Sequence, residues 1–276
     1  MSLLNKNTDD AYISTGDLNK MHEETSHVYI DSDFNFLKCH KGLRPGQMHV
    51  LIGTSGSGKS TVVRKIILDS AKEHKVLLWL SEESRQDFIA ALSKNFPKPD
   101  VAKNIKIISE FDVCKNHNAS HEQIFTEYEK CVKAINPSVV FFDNITTSRM
   151  YMGLRPSDQE KIAWRLKGLH NTIEVPLFAV AHTRADVTDT NSKIIEDADI
   201  RGSKSITNLA QYIYIYQRFH IEKYYFPTIR IRKSRGYQIS ETMFLLTYSK
   251  DKNAYVADRE VSFKDFKEAF NKRNKL

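Results

Sequence analysis

No stretch of this chain comes near the ~18 uninterrupted apolar residues that a membrane-spanning helix needs. The N-terminus, MSLLNKNTDD, has an acidic, Asn-rich run where a secretory signal would carry an apolar core. A soluble, cytoplasmic protein without a membrane partner is therefore expected. Cysteine is scarce: Cys39, Cys114 and Cys131 are odd in number, far apart and without metal-ligand spacing. That pattern argues against a disulfide framework or a zinc site and suits free thiols in a reducing compartment. Internal repeats are absent, as are low-complexity linkers after residue 32.

What is present is ordinary globular material, 276 residues at 41% hydrophobic and 27% charged, enough for one large domain with a proper core. The net charge of +7 is unevenly placed. Residues 218–276 hold 14 Lys and Arg against 7 Asp and Glu, whereas residues 1–217 hold 27 against 27. The excess permits a polyanion-facing surface, and equally a solvated basic tail, KEAFNKRNKL.

Residues 1–32 are polar and read as an arm or linker with one short helix at Thr15–Glu24, leaving 33–276 as the domain. Strand-length apolar runs then recur at Met48–Ile52, Val76–Leu80, Ile105–Ile108, Val139–Phe142 and Leu177–Ala181. Helical patterns lie between them. Ser120-x-x-Gln123 makes a capping box ahead of Ile124, Phe125, Tyr128, Cys131, Val132 and Ile135, and Pro137 stops that helix. A second helix is expected to begin at Ser157-x-x-Glu160. Continuous apolar strands alternating with helices predict an α/β fold, a parallel sheet covered on both faces. Beyond Ile206 only strands follow, at Tyr212–Gln217, Thr228–Lys233, Met243–Tyr248 and Ala254–Val256, which predicts an antiparallel extension. A last helix is capped at Ser262 and carries Phe263, Phe266 and Phe270.

Directly after the first strand comes GTSGSGKST, followed by the helical VVRKIILDSAKEH. This is the phosphate-loop pattern G-x-x-x-x-G-K-[ST] between a strand and a helix. Gly53, Gly56 and Gly58 let backbone N–H groups, with those of Ser55, Ser57 and Thr61, turn around the phosphates of ATP. Lys59 reaches the outer phosphates and the Ser60 hydroxyl ligates Mg²⁺. Asp143, ending the strand VVFFD, completes the magnesium shell. Glu82, just past the second strand, is placed to polarise the attacking water. Glu83 reads as opening the next helix and suiting its dipole.

Taken together, PGQMHVLIGTSGSGKST, WLSEES, the strand ending in Asp143, VPLFAVAHTR and DIRGSKSITNLAQYIYIYQR resemble the RecA-like core of DnaB-type replicative hexameric DNA helicases, including the helicase half of phage primase-helicases, over residues 34–258. The resemblance implies a RecA-like three-layer P-loop NTPase fold, mainly parallel with antiparallel C-terminal strands. His182 then matches the polar sensor that links the γ-phosphate to DNA. Asp199 through Ser205 match the loop that grips single-stranded DNA, with Arg201, Gly202 and Lys204 facing phosphates, although the family often has glycine where Lys204 stands. Lys233 and Arg235 match the pair of cations that one subunit projects onto the γ-phosphate held by the next. Such a finger typically contributes ~10³–10⁵ in rate. The plainer reading of this cationic strand is an exposed edge blunted by charge, and alternation assigns Arg230 and Arg232 to that role. The loops Thr146–Ser157, with Arg149, Tyr151 and Arg155, and Thr183–Lys204, with Arg184 and Lys193, would face the ring centre and bind DNA without sequence preference.

These implications give an ATP- and Mg²⁺-dependent helicase or translocase on single-stranded DNA, a homo-oligomer and in the family a hexameric ring. A primase or loader is a possible partner, and the small size suits a phage or plasmid replication protein acting in a bacterial host. Tyr12–Glu24 is the candidate for a swapped helix that latches neighbours. Two alternatives remain open: a RecA-like recombination or annealing ATPase, and a KaiC-like regulatory ATPase, since SEES also resembles the corresponding segment of KaiC-type and RadA-like proteins.

Overall fold

The computed structural model describes residues 29–93, 99–114, 119–183, 194–196, 199, 205–221, 224–239, 241–252 and 254–273. In chain order its elements are α1 (Asn35–Lys38), β1 (Met48–Gly53), α2 (Lys59–Ser70), β2 (Val76–Leu80), α3 (Arg85–Ser93), α4 (Pro99–Lys103), β3 (Ile105–Ser109), α5 (Glu110–Val113), α6 (His121–Ile135), β4 (Val139–Asp143), α7 (Pro156–Thr172), β5 (Leu177–His182), α8 (Ser205–Leu209), β6 (Tyr212–Ile221), β7 (Tyr224–Ser234), β8 (Met243–Ser249), β9 (Ala254–Val261) and α9 (Phe263–Arg273). The strands form one sheet in the order β3-β2-β4-β5-β1-β6-β7-β8-β9. From β3 to β6 neighbours run parallel, and from β6 to β9 they run antiparallel.

The continuous apolar runs explain the parallel half. Every residue of β1, β2, β4 and β5 is buried, because helices cover both faces and leave no wet side for polar alternation. One face packs Leu51, Leu78, Phe141 and Val180 against Val62, Val63, Ile66 and Ile67 of α2 and Phe88 of α3. The other packs Val50, Trp79, Phe142 and Ala179 against Phe125 and Tyr128 of α6 and Ile162 and Leu166 of α7. Strand β3 is half exposed along its length, as an edge position allows.

Capping decides the helix bounds. Ser120 Oγ accepts from Gln123 N–H and Gln123 Oε1 accepts from Ser120 N–H, so the capping box forms as expected, and Asn136 ends α6 in the left-handed region at φ 48°. Helix α7 differs from expectation. It starts at Pro156 with Arg155 as N-cap and no side-chain cap, so no box forms at Ser157. Proline's fixed φ suits the first helical position, which moves the start ahead of the Ser-x-x-Glu signal.

Three further differences concern the antiparallel half. The β6–β7 hairpin runs on to pair Phe219 with Phe226, because Phe219 packs on Phe266 and Phe270 of α9 at 4.7 and 5.1 Å. Strand β9 extends to Val261 through a polar stretch whose Asp258 is buried: its two carboxylate oxygens accept from Asn35 N–H and Phe36 N–H at the start of α1. Finally, β7 is an interior strand, which overturns the edge reading of its cations. Arg230 is buried at 4% exposure, donating to Glu241 and to Ile195 O and lying over the Phe263 ring, while Arg232 pairs with Glu241. Among the described residues no helix is long and apolar enough to cross a membrane. Cys39, Cys114 and Cys131 are free thiols. The expected segments Thr15–Glu24 and Tyr12–Glu24 lie outside the described residues.

Candidate active site

Parallel strands bring their C-terminal ends to one edge of a sheet, and here the registers Leu80 with Asp143 and Gly53 with His182 align the segments that carry the chemistry. Between β1 and α2 the chain turns through Gly56 at φ 67° and Gly58 at φ 109°. Glycine is required twice. A Cβ on Gly53 would lie 2.6 Å from Tyr216 O, and one on Gly58 would meet Tyr216 Oη at 3.0 Å in a backbone conformation that side chains rarely adopt. No side chain caps the start of α2, so its first N–H groups are left for an anion.

Lys59 is buried and folds along the loop. Its Nζ donates to Gly53 O at 2.9 Å and Thr54 O at 2.6 Å and lies 3.2 Å from His182 Nδ1. Burial lowers its pKa to about 8 despite the attraction of Asp143 and Glu82. With the ammonium as donor, His182 Nδ1 accepts, and Nε2–H is directed at Glu82 Oε2 at 3.1 Å. That bond holds the Glu82 carboxyl below its usual range, helped by Asn144, whose Nδ2 donates to the same oxygen at 3.2 Å.

Asp143 faces the loop from the end of β4. Burial pushes its carboxyl up to about 6, against the pull of Lys59 and a hydrogen bond from Ser60. A hydroxyl and a carboxylate in mutual contact are the hard oxygen donors that Mg²⁺ takes, with phosphate oxygens and water for the rest. Among the described residues no group of three His, Cys, Asp or Glu could hold a metal ion. A cleft of about 350 Å³ joins Ser55 through Ser60 with Glu82, Asp143 and His182. Gly53 and Thr61 stand behind its lining; Gly53 O holds Lys59 and Thr61 N–H donates to Gly58 O.

A family model described as ABC transporter matches residues 38–273, the phosphate loop included. The chain belongs to that family. No curated protein matches it. Among solved structures it is similar to a KaiC-like protein from the hyperthermophilic archaeon Pyrococcus horikoshii OT3, with a TM-score of 0.62 and 17% identity over 83% of this chain and 97% of that one. The two findings share an α/β P-loop ATPase of RecA- and KaiC-like form, mostly parallel with antiparallel C-terminal strands. Neither singles out the DnaB-type helicases.

Other expected site residues of this P-loop ATPase lie away from the cleft. Lys233 Nζ donates to Thr207 O and Asn208 O, and Arg235 donates to Asn208 O, so within one chain both cations meet the last carbonyls of α8. Exposed Arg155 pairs with Asp158. Arg184, Lys193, Arg201, Gly202 and Lys204 fall outside the described residues. Glu83 does not open α3 as expected: Ser84 Oγ accepts from Asp87 N–H there, while Glu83 takes two 3.3 Å bonds from Arg64. Arg64 also lines the cleft. It had a signal in the sequence, standing one helical turn beyond Ser60. Asn144 had none, because its contacts reach Glu82, distant in sequence.

Proposed function

We propose that this ATPase hydrolyses ATP with Mg²⁺ and couples the cycle to movement along single-stranded DNA, as a ring with its nucleotide at the subunit boundary. The observation that carries the reading is the position of His182. Its ring touches Lys59 and Glu82, its main-chain N–H donates to Thr146 Oγ1, and residues 146 and 183 open the two segments read as facing DNA. A change at the γ-phosphate therefore acts on the roots of both segments.

In the reaction Lys59 and the N-terminal amides of α2 hold the phosphates, and Glu82 orients and deprotonates the attacking water. Mg²⁺, when bound through Ser60 and Asp143, supplies charge neutralisation on the β- and γ-phosphates. Lys233 and Arg235 would complete the boundary from the neighbour. Glu82→Gln should lower kcat by ~10²–10⁴ while ATP binding persists. The deciding experiment is ATP turnover with and without single-stranded DNA, followed by unwinding of a forked duplex. Turnover indifferent to DNA overturns the motor. It favours the second reading, a KaiC-like regulatory ATPase, which the fold likeness supports about as well. ATP-dependent filaments without unwinding would favour a recombination factor.

A further inference from the structure

Asn144 uses every polar atom it has. Its N–H donates to Ser81 Oγ at 3.0 Å, and its carbonyl accepts from the same hydroxyl at 2.5 Å. In the side chain, Oδ1 accepts from Thr146 N–H at 2.8 Å and from Thr146 Oγ1 at 2.7 Å. A backbone N–H can only donate, so the amide orientation is settled: Nδ2 must point the other way, toward Glu82 Oε2. The residue is fully buried. His182 reaches the same carboxylate oxygen, and Glu82 Oε1 is left with no hydrogen bond to the described residues beside the phosphate cleft.

Resting on the reading of Glu82 as the base, we propose that Asn144 is a positioning residue for ATP hydrolysis: its amide ties down Glu82 Oε2, turns Oε1 to the phosphate cleft, and fastens the carboxylate to Thr146 at the root of the 146–157 segment. A rigid amide is suited to this. It has two heavy-atom ends, and a donor locked by an acceptor bonded to the main chain cannot rotate away without leaving Thr146 N–H unpaired in a buried place. The same geometry gives the carboxylate two donors on one oxygen, which fixes its plane as well as its distance. Through Thr146 Oγ1 the tie continues to the His182 N–H, so base, sensor and segment form one hydrogen-bonded unit.

The tie is read without turnover by the Asn144 side-chain ¹⁵N–¹H resonances. In wild type the Nδ2 protons should be resolved and slow to exchange, and Glu82→Ala, at a half-exposed position, should shift them and speed their exchange. Kinetically, Asn144→Ala should lower kcat by about tenfold or more, with the KM for ATP within about twofold. In a Glu82→Gln background the same change should do nothing further. Thr146→Val, which keeps Asn144 but removes one of its two anchors, should give a smaller loss of kcat and serves as well if Asn144→Ala fails to fold. Resonances indifferent to Glu82→Ala, or an equal loss of kcat in both backgrounds, overturn the proposal. A wild type that turns over no ATP while its Asn144 amide responds to Glu82→Ala overturns the reading of the site and upholds the tie.

Discussion

Lys59 Nζ and His182 Nδ1 stand 3.2 Å apart at the inner end of the phosphate loop, with two main-chain carbonyls as the other acceptors of the same ammonium. Burial with only partial charge compensation lowers the lysine to about pH 8. The form that attracts phosphate is the protonated one, so binding should weaken as pH rises through 8.

ADP affinity measured without Mg²⁺ by calorimetry should accordingly fall between pH 7 and pH 9, by up to about tenfold per pH unit above 8. Lys59→Arg keeps its charge throughout this range and should flatten the profile, although its planar fork fits the loop less well and lowers affinity overall. An unchanged slope in that variant would assign the pH dependence to another group.

Asp143 permits a test through stability. Its carboxyl is pushed up to about 6 by burial, above the model-peptide range near 4. Between those values the folded state holds a proton that the unfolded chain has released, so metal-free stability declines as pH rises through about 4 to 6, and the cost is full above 6. Asp143→Asn removes that cost. In chelator at pH 7.5 it should melt a few degrees higher than wild type, a gain that vanishes toward pH 4. It should also lose Mg²⁺-dependent turnover. A variant that melts lower at pH 7.5 would show that the carboxylate is already compensated.

Much of this site was legible because its chemistry is carried by short local patterns. A loop of fixed spacing sits between an apolar strand and a helix, one further strand ends in Asp143 and another is followed two residues later by Glu82; parallel pairing then brings Lys59, Glu82, Asp143 and His182 together. Contacts made at long range in sequence were not legible. Asn144 bonding to Glu82, Arg64 to Glu83 and Asp258 to the start of α1 depend on which elements the sheet order makes neighbours. Arg230 failed for the same reason. Its alternation in IRIRKSRG is that of a half-wet edge strand, but β8 pairs along that edge, the Phe263 ring of α9 lies against the Arg230 guanidinium and Glu241 pairs the buried charge.

Another long-range contact, between Tyr216 and Tyr255, supports the phosphate loop from behind. Their hydroxyls share a 2.7 Å hydrogen bond, both side chains are buried, and Tyr216 Oη fills the space beside Gly58. Either single change to Phe leaves a hydroxyl without its partner and should cost about 1–2 kcal/mol. The double change removes both groups and should cost about 1 kcal/mol less than the sum of the singles. Urea unfolding of the four proteins measures this; additivity would mean the pair contributes nothing as a pair.

The trans reading of Lys233 and Arg235 has to account for where one chain keeps them, on the Thr207 and Asn208 carbonyls at the C-terminal end of α8. Cations suit a helix C-terminus, so a local cap is a sufficient role by itself. The two roles predict different losses. As a cap, exposed Arg235 contributes about 1 kcal/mol or less, and Arg235→Ala should lower the melting temperature slightly and leave turnover intact. As a finger, it should leave stability nearly unchanged and lower kcat by ~10³ or more. Mixing Arg235→Ala with Lys59→Ala subunits separates a finger acting within its own chain from one lent to a neighbour. Only in the second case do some boundaries combine an intact lysine from one variant with an intact arginine from the other. Activity should then return as the two inactive proteins are mixed and peak near equal proportions. A mixture that stays silent at every ratio, although the subunits co-assemble, overturns the lent arginine.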